Sequence, residues 1–158
     1  MLVGIVSDTH DNLPAIEKAV EEFNERGADL VLHAGDYVAP FALEKFSKLE
    51  GDFHGVFGNN DGEKEGLKEE VSDFGKIEEA PTSLEVKGKR VRLTHKPGEK
   101  VEGDFDLLVN GHTHEPKVEK KDGAVSINPG EASGWLTGEK TVALVNLEKM
   151  EAQIISLD

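Results

Sequence analysis

Leu2-Val3-Gly4-Ile5-Val6 runs directly into Ser7-Asp8-Thr9-His10, and this stretch sets the reading of the whole chain. A short β-rich apolar run that ends in a carboxylate and an imidazole reads as a strand delivering polar groups at its tip. If the extended geometry continues through Asp8 and His10, both side chains point to one face, because strand side chains alternate with period two. An oxygen donor beside a nitrogen donor suits a divalent first-row metal. Alone, Asp-x-His is a weak pattern that also fits a turn-forming Asp before a helix cap. The metal reading therefore depends on what recurs downstream.

Past His10 the chain reads as a helix start: Asn12 is a capping residue and Pro14 is tolerated in the first turn. Ile16, Ala19, Val20 and Phe23 keep helical spacing, and Gly27 supplies the stop. Leu30-Val31-Leu32-His33-Ala34 reads as a second strand, ending at Gly35-Asp36. Pro40 opens a second helix with Leu43, Phe46 and Leu49 facing the core, and Phe53 to Phe57 forms a third strand ending at Gly58-Asn59-Asn60-Asp61. Strand–helix–strand–helix–strand order implies parallel pairing, and ligands in such sheets sit outside the carboxyl ends of the strands.

Beyond Glu63 the pattern shifts to a short charged helix over Glu63 to Glu70, then a hairpin of Ser83 to Val86 and Arg90 to Thr94 with His95 at its exit. Leu107 to Asn110 is a buried strand ending at Gly111-His112-Thr113-His114. Lys117 to Lys120, Ala124 to Ile127, Thr141 to Leu147 and Ala152 to Ser156 are further short strands. Pro97, Gly98 and Gly103 argue against a helix between His95 and Leu107. His33 and His54 read as ordinary polar strand positions. No repeat or linker divides residues 1–158, so they are read as a single domain of the α/β (α+β) class.

Zero cysteines exclude disulfides and thiolate ligands, so a metal here takes His, Asp, Glu, Asn or backbone donors. A formal charge of −14 argues against duplex nucleic acid and anionic membranes as partners. It also means that a phosphate ester needs bound cations to reverse the local field. No apolar run is long enough to span a bilayer, and the opening strand lacks a basic leader, which predicts a cytoplasmic location.

Collected at strand ends are Asp8, His10, Asp36, Asn59, His95, His112 and His114. These are oxygen and imidazole donors suited to a pair of metals. Asp8-x-His10, Gly35-Asp36, Gly58-Asn59-x-Asp61, His95 and Gly111-His112-x-His114 resemble, in order, the motif blocks of the calcineurin-like metallophosphoesterases. The short chain and the run Ile127-Asn128-Pro129-Gly130 make it most similar to the small YfcE-like phosphodiesterase branch. That resemblance implies a four-layer αββα sandwich of two mixed β-sheets flanked by helices. It implies a metal-dependent phosphodiesterase in which Asp8, His10 and His114 hold one ion, Asn59, His95 and His112 hold the other, and Asp36 bridges them. Two divalent ions, manganese by family with Ni2+, Fe2+, Zn2+ or Mg2+ as alternatives, would lie roughly 3.5–4 Å apart and need a shared anion. A bridging hydroxide would then attack phosphorus in line. With Asp8 and Asp36 as the anionic ligands, the site keeps surplus positive charge for the substrate.

Many members carry a His after the motif Asn; here it is Asn60. An amide cannot protonate a leaving group, although it can donate a hydrogen bond to a phosphoryl oxygen, so good leaving groups are expected to be preferred. Asp61 is a candidate for orienting a ligand imidazole. Asp11 and Asn12 read as caps, Asn128-Pro129-Gly130 as a supporting turn, and Lys96 as either a solvated cation or a phosphate contact. Two other readings stand beside the small phosphate-diester substrate. One is a phosphomonoesterase, disfavoured because no basic cluster flanks the motifs. The other is a non-catalytic scaffold like the retromer subunit of this fold. A homo-oligomer is compatible with the sequence.

Overall fold

A computed structural model describes residues 1–101 and 103–158. Strand β1 (Leu2–Val6) leads to helix α1 (Leu13–Arg26), β2 (Leu30–His33), a 3₁₀ helix (Pro40–Lys48), β3 (Asp52–Val56), α2 (Lys64–Val71) and β4 (Gly75–Glu78). The hairpin β5 (Thr82–Val86) and β6 (Lys89–Leu93) comes next, then β7 (Leu107–Val109), β8 (Pro116–Lys121), β9 (Ala124–Pro129), β10 (Thr141–Asn146) and β11 (Glu151–Ser156). One sheet has the order β11-β10-β1-β2-β3-β4 and the other β5-β6-β7-β9-β8. Both are mixed. β1, β2, β3 and β4 run parallel, as do β6, β7 and β9, while the remaining pairs are antiparallel.

Local chemistry sets the first helix. The Asn12 side chain accepts from the Ala15 N–H at 3.3 Å, Pro14 sits in the first turn, and Gly27 closes the end at φ 74°. A cap of this kind is worth about 1 kcal/mol, whereas burying each of Ile16, Val20 and Phe23 is worth roughly 1.5–3 kcal/mol. Docking of the apolar stripe, more than capping, therefore holds α1 in place. The segment opened by Pro40 forms a 3₁₀ helix and buries Ala42, Leu43 and Phe46. β4 is an element the sequence pattern did not reveal, because Ile77 is its one buried residue.

Two apolar clusters define the layers. Phe23, Leu43, Phe46, Leu67 and Val71 of the helices pack with Val31, Phe53, Val142 and Leu144 on one face of the first sheet. Val3, Ile5, Leu32, Val56 and Ala143 on its other face meet Val91, Leu93, Leu107, Val109, Val125 and Ile127 of the second sheet. Helices, first sheet and second sheet are thus three of the four expected layers. The outer face of the second sheet, with Arg92, Leu108, Ser126 and Glu119 in adjacent register, carries no helix among the described residues. Between β6 and β7, Pro97 and the positive-φ Gly98 and Gly103 are poor helix positions. Nor is any helix among the described residues long and apolar enough to cross a membrane.

His33, fully buried at the end of β2, is part of the core. Its Nδ1 accepts from the Gly35 N–H at 3.0 Å, so the ring proton sits on Nε2 and is donated to Thr9 Oγ1 at 3.1 Å. Burial pushes its pKa down to about 3, since a second proton on Nδ1 would face an N–H donor. The unfolded chain binds that proton near pH 6.5 while the folded chain does not, so stability is full above this pH and falls below it. Between pH 7 and pH 5 this residue alone is expected to remove about 2 kcal/mol. Urea midpoints at the two pH values measure it: His33→Gln should flatten the dependence, and an unchanged slope would refute the assignment.

Candidate metal centre

The parallel strands β1, β2, β3, β6 and β7 all deliver their exits to one edge of the sandwich. There the backbone leaves strand geometry early. β1 ends at Val6, and Asp8, His10, Asp36, His112 and His114 have φ of 54°, 39°, 66°, 67° and 67°. The expectation that extended geometry aims Asp8 and His10 is therefore corrected: left-handed turns do so, at a cost of roughly 1–2 kcal/mol per residue. Cross-loop bonds hold these turns. Asp8 N–H donates to Gly35 O at 3.0 Å, His10 N–H to Asp36 O at 3.1 Å and Asp11 N–H to Tyr37 O at 3.1 Å. Two glycines permit the approach: a Cβ on Gly58 would lie 2.1 Å from Asp36 Oδ1, and one on Gly111 2.0 Å from Ser7 Oγ.

Asp8 and Asp36 form a buried floor beneath partly or fully exposed His10, His112, His114, Asn59 and Asn60; His95 is buried with the floor. Ser7 Oγ–H (2.6 Å) and the His112 N–H (3.0 Å) both donate to Asp8 Oδ2. That leaves Asp8 Oδ1 facing His114 Nε2 at 3.4 Å and His10 Nε2 at 3.6 Å. Asp36 stands between two imidazoles, with Oδ2 at 3.5 Å from His10 Nε2 and Oδ1 at 3.5 Å from His95 Nε2. Asn59 Oδ1 lies 2.7 Å from His95 Nε2 and 3.1 Å from His112 Nδ1. The structure thus gathers all seven predicted ligand residues at one point.

The donor chemistry at that point fits cations. His95 Nδ1–H donates to Ala34 O at 2.7 Å, so a neutral His95 turns the lone pair of Nε2 toward the Asn59 oxygen. His114 is oriented in the same sense by Glu131. Lone pair faces lone pair, which is repulsive without a positive charge between them. Asp8 Oδ1 and His10 Nε2 are buried without hydrogen-bond partners, a costly state for polar atoms. Asp8, His10 and His114 offer donors all within 4.8 Å of one another, as do Asp8, Asp36 and His95. Burial would push the Asp8 carboxyl up, but His10, Ser7 and the other imidazoles outweigh it and hold it below its ordinary value. The facing Asp8 carboxylate raises His10 in turn, against burial.

Residues 1–150 match the family model of the calcineurin-like phosphoesterase superfamily domain. The chain belongs to this superfamily. A phosphodiesterase of Methanocaldococcus jannaschii is 39% identical over the full length of both chains. A solved structure described as a novel archaeal phosphodiesterase superposes with TM-score 0.91 at 38% identity, covering 99% of each chain. The YfcE phosphoesterase of Escherichia coli shares the fold, with TM-score 0.69 at 22% identity over all of both chains.

Around the cluster of this calcineurin-like phosphoesterase, Asp61 and Asn60 depart from their sequence reading while others keep to it. Asp61 touches no imidazole. Its carboxylate accepts from the backbone N–H groups of Asp36 (2.8 Å), Tyr37 (2.8 Å), Val38 (2.9 Å) and Gly58 (2.7 Å), tying the β2 and β3 exits together. Asn60 points its amide at the floor: its N–H and Nδ2 donate to Asp36 Oδ1 and Oδ2 at 2.9 and 3.0 Å. Asn12 caps as expected, Asp11 Oδ1 accepts from the Ala39 N–H, and Lys96 is exposed. Asn128 supports the β7 exit by donating to Gly111 O at 2.9 Å and Thr113 Oγ1 at 3.0 Å.

Glu131 and Trp135 have no assigned role in the sequence pattern. Glu131 Oε1 accepts from His114 Nδ1–H at 3.0 Å, and the carboxylate also accepts from the Leu136 and Thr137 N–H groups. Burial would push its pKa up, but these donors bring it down to about 2. It sits seventeen residues beyond His114, and the adjoining Asn-Pro-Gly turn is the one sequence signal near it. Glu131→Gln removes the charge behind His114, so metal affinity is expected to fall about 10–100-fold. Calorimetric titration with manganese measures this, and unchanged affinity would refute the role.

Proposed function

We propose that this calcineurin-like phosphoesterase hydrolyses phosphate diesters using two divalent cations, manganese in the first instance. The observation that carries the reading is Asp36, whose two oxygens address His10 and His95 separately. Asp8, His10 and His114 would hold one ion, Asn59, His95 and His112 the other, with Asp36 shared. The ions supply Lewis-acid polarisation of a phosphoryl oxygen and lower the pKa of water toward neutrality.

The protein's own groups keep the ligands in register. Ser7 and the His112 N–H pin Asp8 Oδ2 so that Oδ1 faces the cluster. Asn60 fixes the Asp36 carboxylate by donating to both of its oxygens. Ala34 O and Glu131 select the imidazole tautomers that present Nε2 of His95 and His114. Asn60, engaged with Asp36, is no proton donor, which keeps the expected preference for good leaving groups. A singly charged diester suits a site with just two anionic ligands and no flanking basic cluster better than a dianionic monoester does. The proposed substrate is therefore small, and duplex nucleic acid is not expected to bind.

Steady-state rates with bis(4-nitrophenyl) phosphate and 4-nitrophenyl phosphate on manganese- or nickel-loaded protein test this reading. The diester is expected to have a kcat/KM at least about tenfold higher, a difference of about 1.4 kcal/mol in transition-state binding. A preference for the monoester would make the protein a phosphomonoesterase. Hydrolysis of neither would leave the fold as a scaffold.

A further inference from the structure

Trp135 is the single tryptophan of the chain and is 62% exposed. It is nevertheless fixed in place. Its Nε1–H donates to the backbone O of His10 at 3.1 Å, so the polar edge of the indole is satisfied on the very residue whose imidazole enters the cluster. The loop that carries it is held by Glu131, which takes the Leu136 and Thr137 N–H groups on the same carboxylate that orients His114. The Gly138 N–H closes this loop on Gly134 O at 3.0 Å. Leu136 beside it is 76% exposed. A scattered exposed apolar side chain needs no explanation. Here, however, a large ring has its polar edge tied to one metal-facing residue, while its loop is tied to another's partner, leaving apolar surface open at the rim of the site.

We propose that Trp135 is a stacking platform that selects diesters whose retained alcohol, the one that is not the leaving group, carries a planar ring such as a nucleobase, and positions that ring beside the cation-binding cluster. This rests on the phosphodiesterase reading above. An indole stacks on any base because every base presents a π-face, and such contacts are tolerant of sequence. Recognition by stacking also suits an acidic protein, since it places no demand on basic side chains. Trp135 acts on substrate choice; the chemistry stays with the ligand residues.

Two measurements test the platform. The first uses the fluorescence of the single tryptophan in zinc-loaded protein, titrated with adenosine monophosphate or with ribose 5-phosphate. Saturable quenching by the first, with no change on adding the second, is expected; equal responses would overturn the proposal. The second compares kcat/KM for thymidine 5′-(4-nitrophenyl) phosphate with that for methyl 4-nitrophenyl phosphate, which share a leaving group. The ratio is expected to fall about tenfold in Trp135→Ala and to persist in Trp135→Phe. A loss of the His10 contact alone would lower both substrates together, leave the ratio unchanged and refute the stacking role. If no ester is hydrolysed, the phosphodiesterase reading fails, and the fluorescence titration still decides whether Trp135 stacks.

Discussion

Asp36→Asn is expected to lower kcat/KM for bis(4-nitrophenyl) phosphate on the order of 10³-fold, with far-ultraviolet circular dichroism unchanged. The two oxygens of Asp36 face His10 Nε2 and His95 Nε2, each at 3.5 Å. Replacing one oxygen by an amide NH2 removes the charge that, in the proposed two-cation site, would let the ions sit close together. The new NH2 would also donate to an imidazole lone pair that now faces the cluster. Bound manganese, measured by elemental analysis after desalting, should drop to one ion per chain or none from the two that the proposed site would hold. Retention of both ions with activity within tenfold of the parent would show that the carboxylate is not shared. Asp61 holds the backbone N–H of Asp36, while the Asp36 carboxylate itself accepts from the Asn60 N–H and Nδ2, so the circular dichroism control is what separates an effect on the site from one on the β3 exit.

Asp61→Asn is expected to be the most destabilising near-isosteric change at the site, by about 4 kcal/mol. Each Asp61 oxygen accepts two N–H groups, Oδ1 from Tyr37 and Val38 and Oδ2 from Asp36 and Gly58. An amide nitrogen in place of either oxygen would face two donors with a donor. Two N–H groups in a poorly hydrated corner would lose their acceptor, and leaving such groups unsatisfied costs roughly 1–3 kcal/mol each. For a chain of this length the midpoint of thermal unfolding should fall on the order of 10 °C. Calorimetry of the metal-free protein checks it without interference from binding. A midpoint within about 2 °C of the parent would mean that the β2 and β3 exits do not depend on this carboxylate.

The two expected losses separate the roles of neighbouring acids. Asp36 contributes charge to the cluster, and Asp61 contributes acceptors to the backbone that presents Asp36. Their side chains sit in linked loops, so the effects of a double substitution should not be additive.

Much of the fold was legible in the residues because its signals are short-range. The apolar run Leu2–Val6, the Asn12 cap with Pro14, and the Gly27 stop each act within a few residues, and each marked its element correctly. The seven candidate ligands were legible because each ends a strand whose parallel order already specifies which edge it reaches. β4 escaped because four residues with one buried side chain leave no periodicity to detect.

Tertiary structure alone decided the rest. Asp61 binds N–H groups as far as 25 positions earlier, Glu131 reaches back 17 positions to His114, and Trp135 reaches back 125 to His10. No alternation or cap couples residues so far apart. The left-handed turns at Asp8 and His10 are sustained by bonds to the β2 exit, not by their own conformational preference. Local pattern is a property of neighbouring residues along the chain, so it specified which side chains arrive at the edge that carries the candidate metal centre. How those side chains are aimed depends on segments that meet only when the two sheets pack.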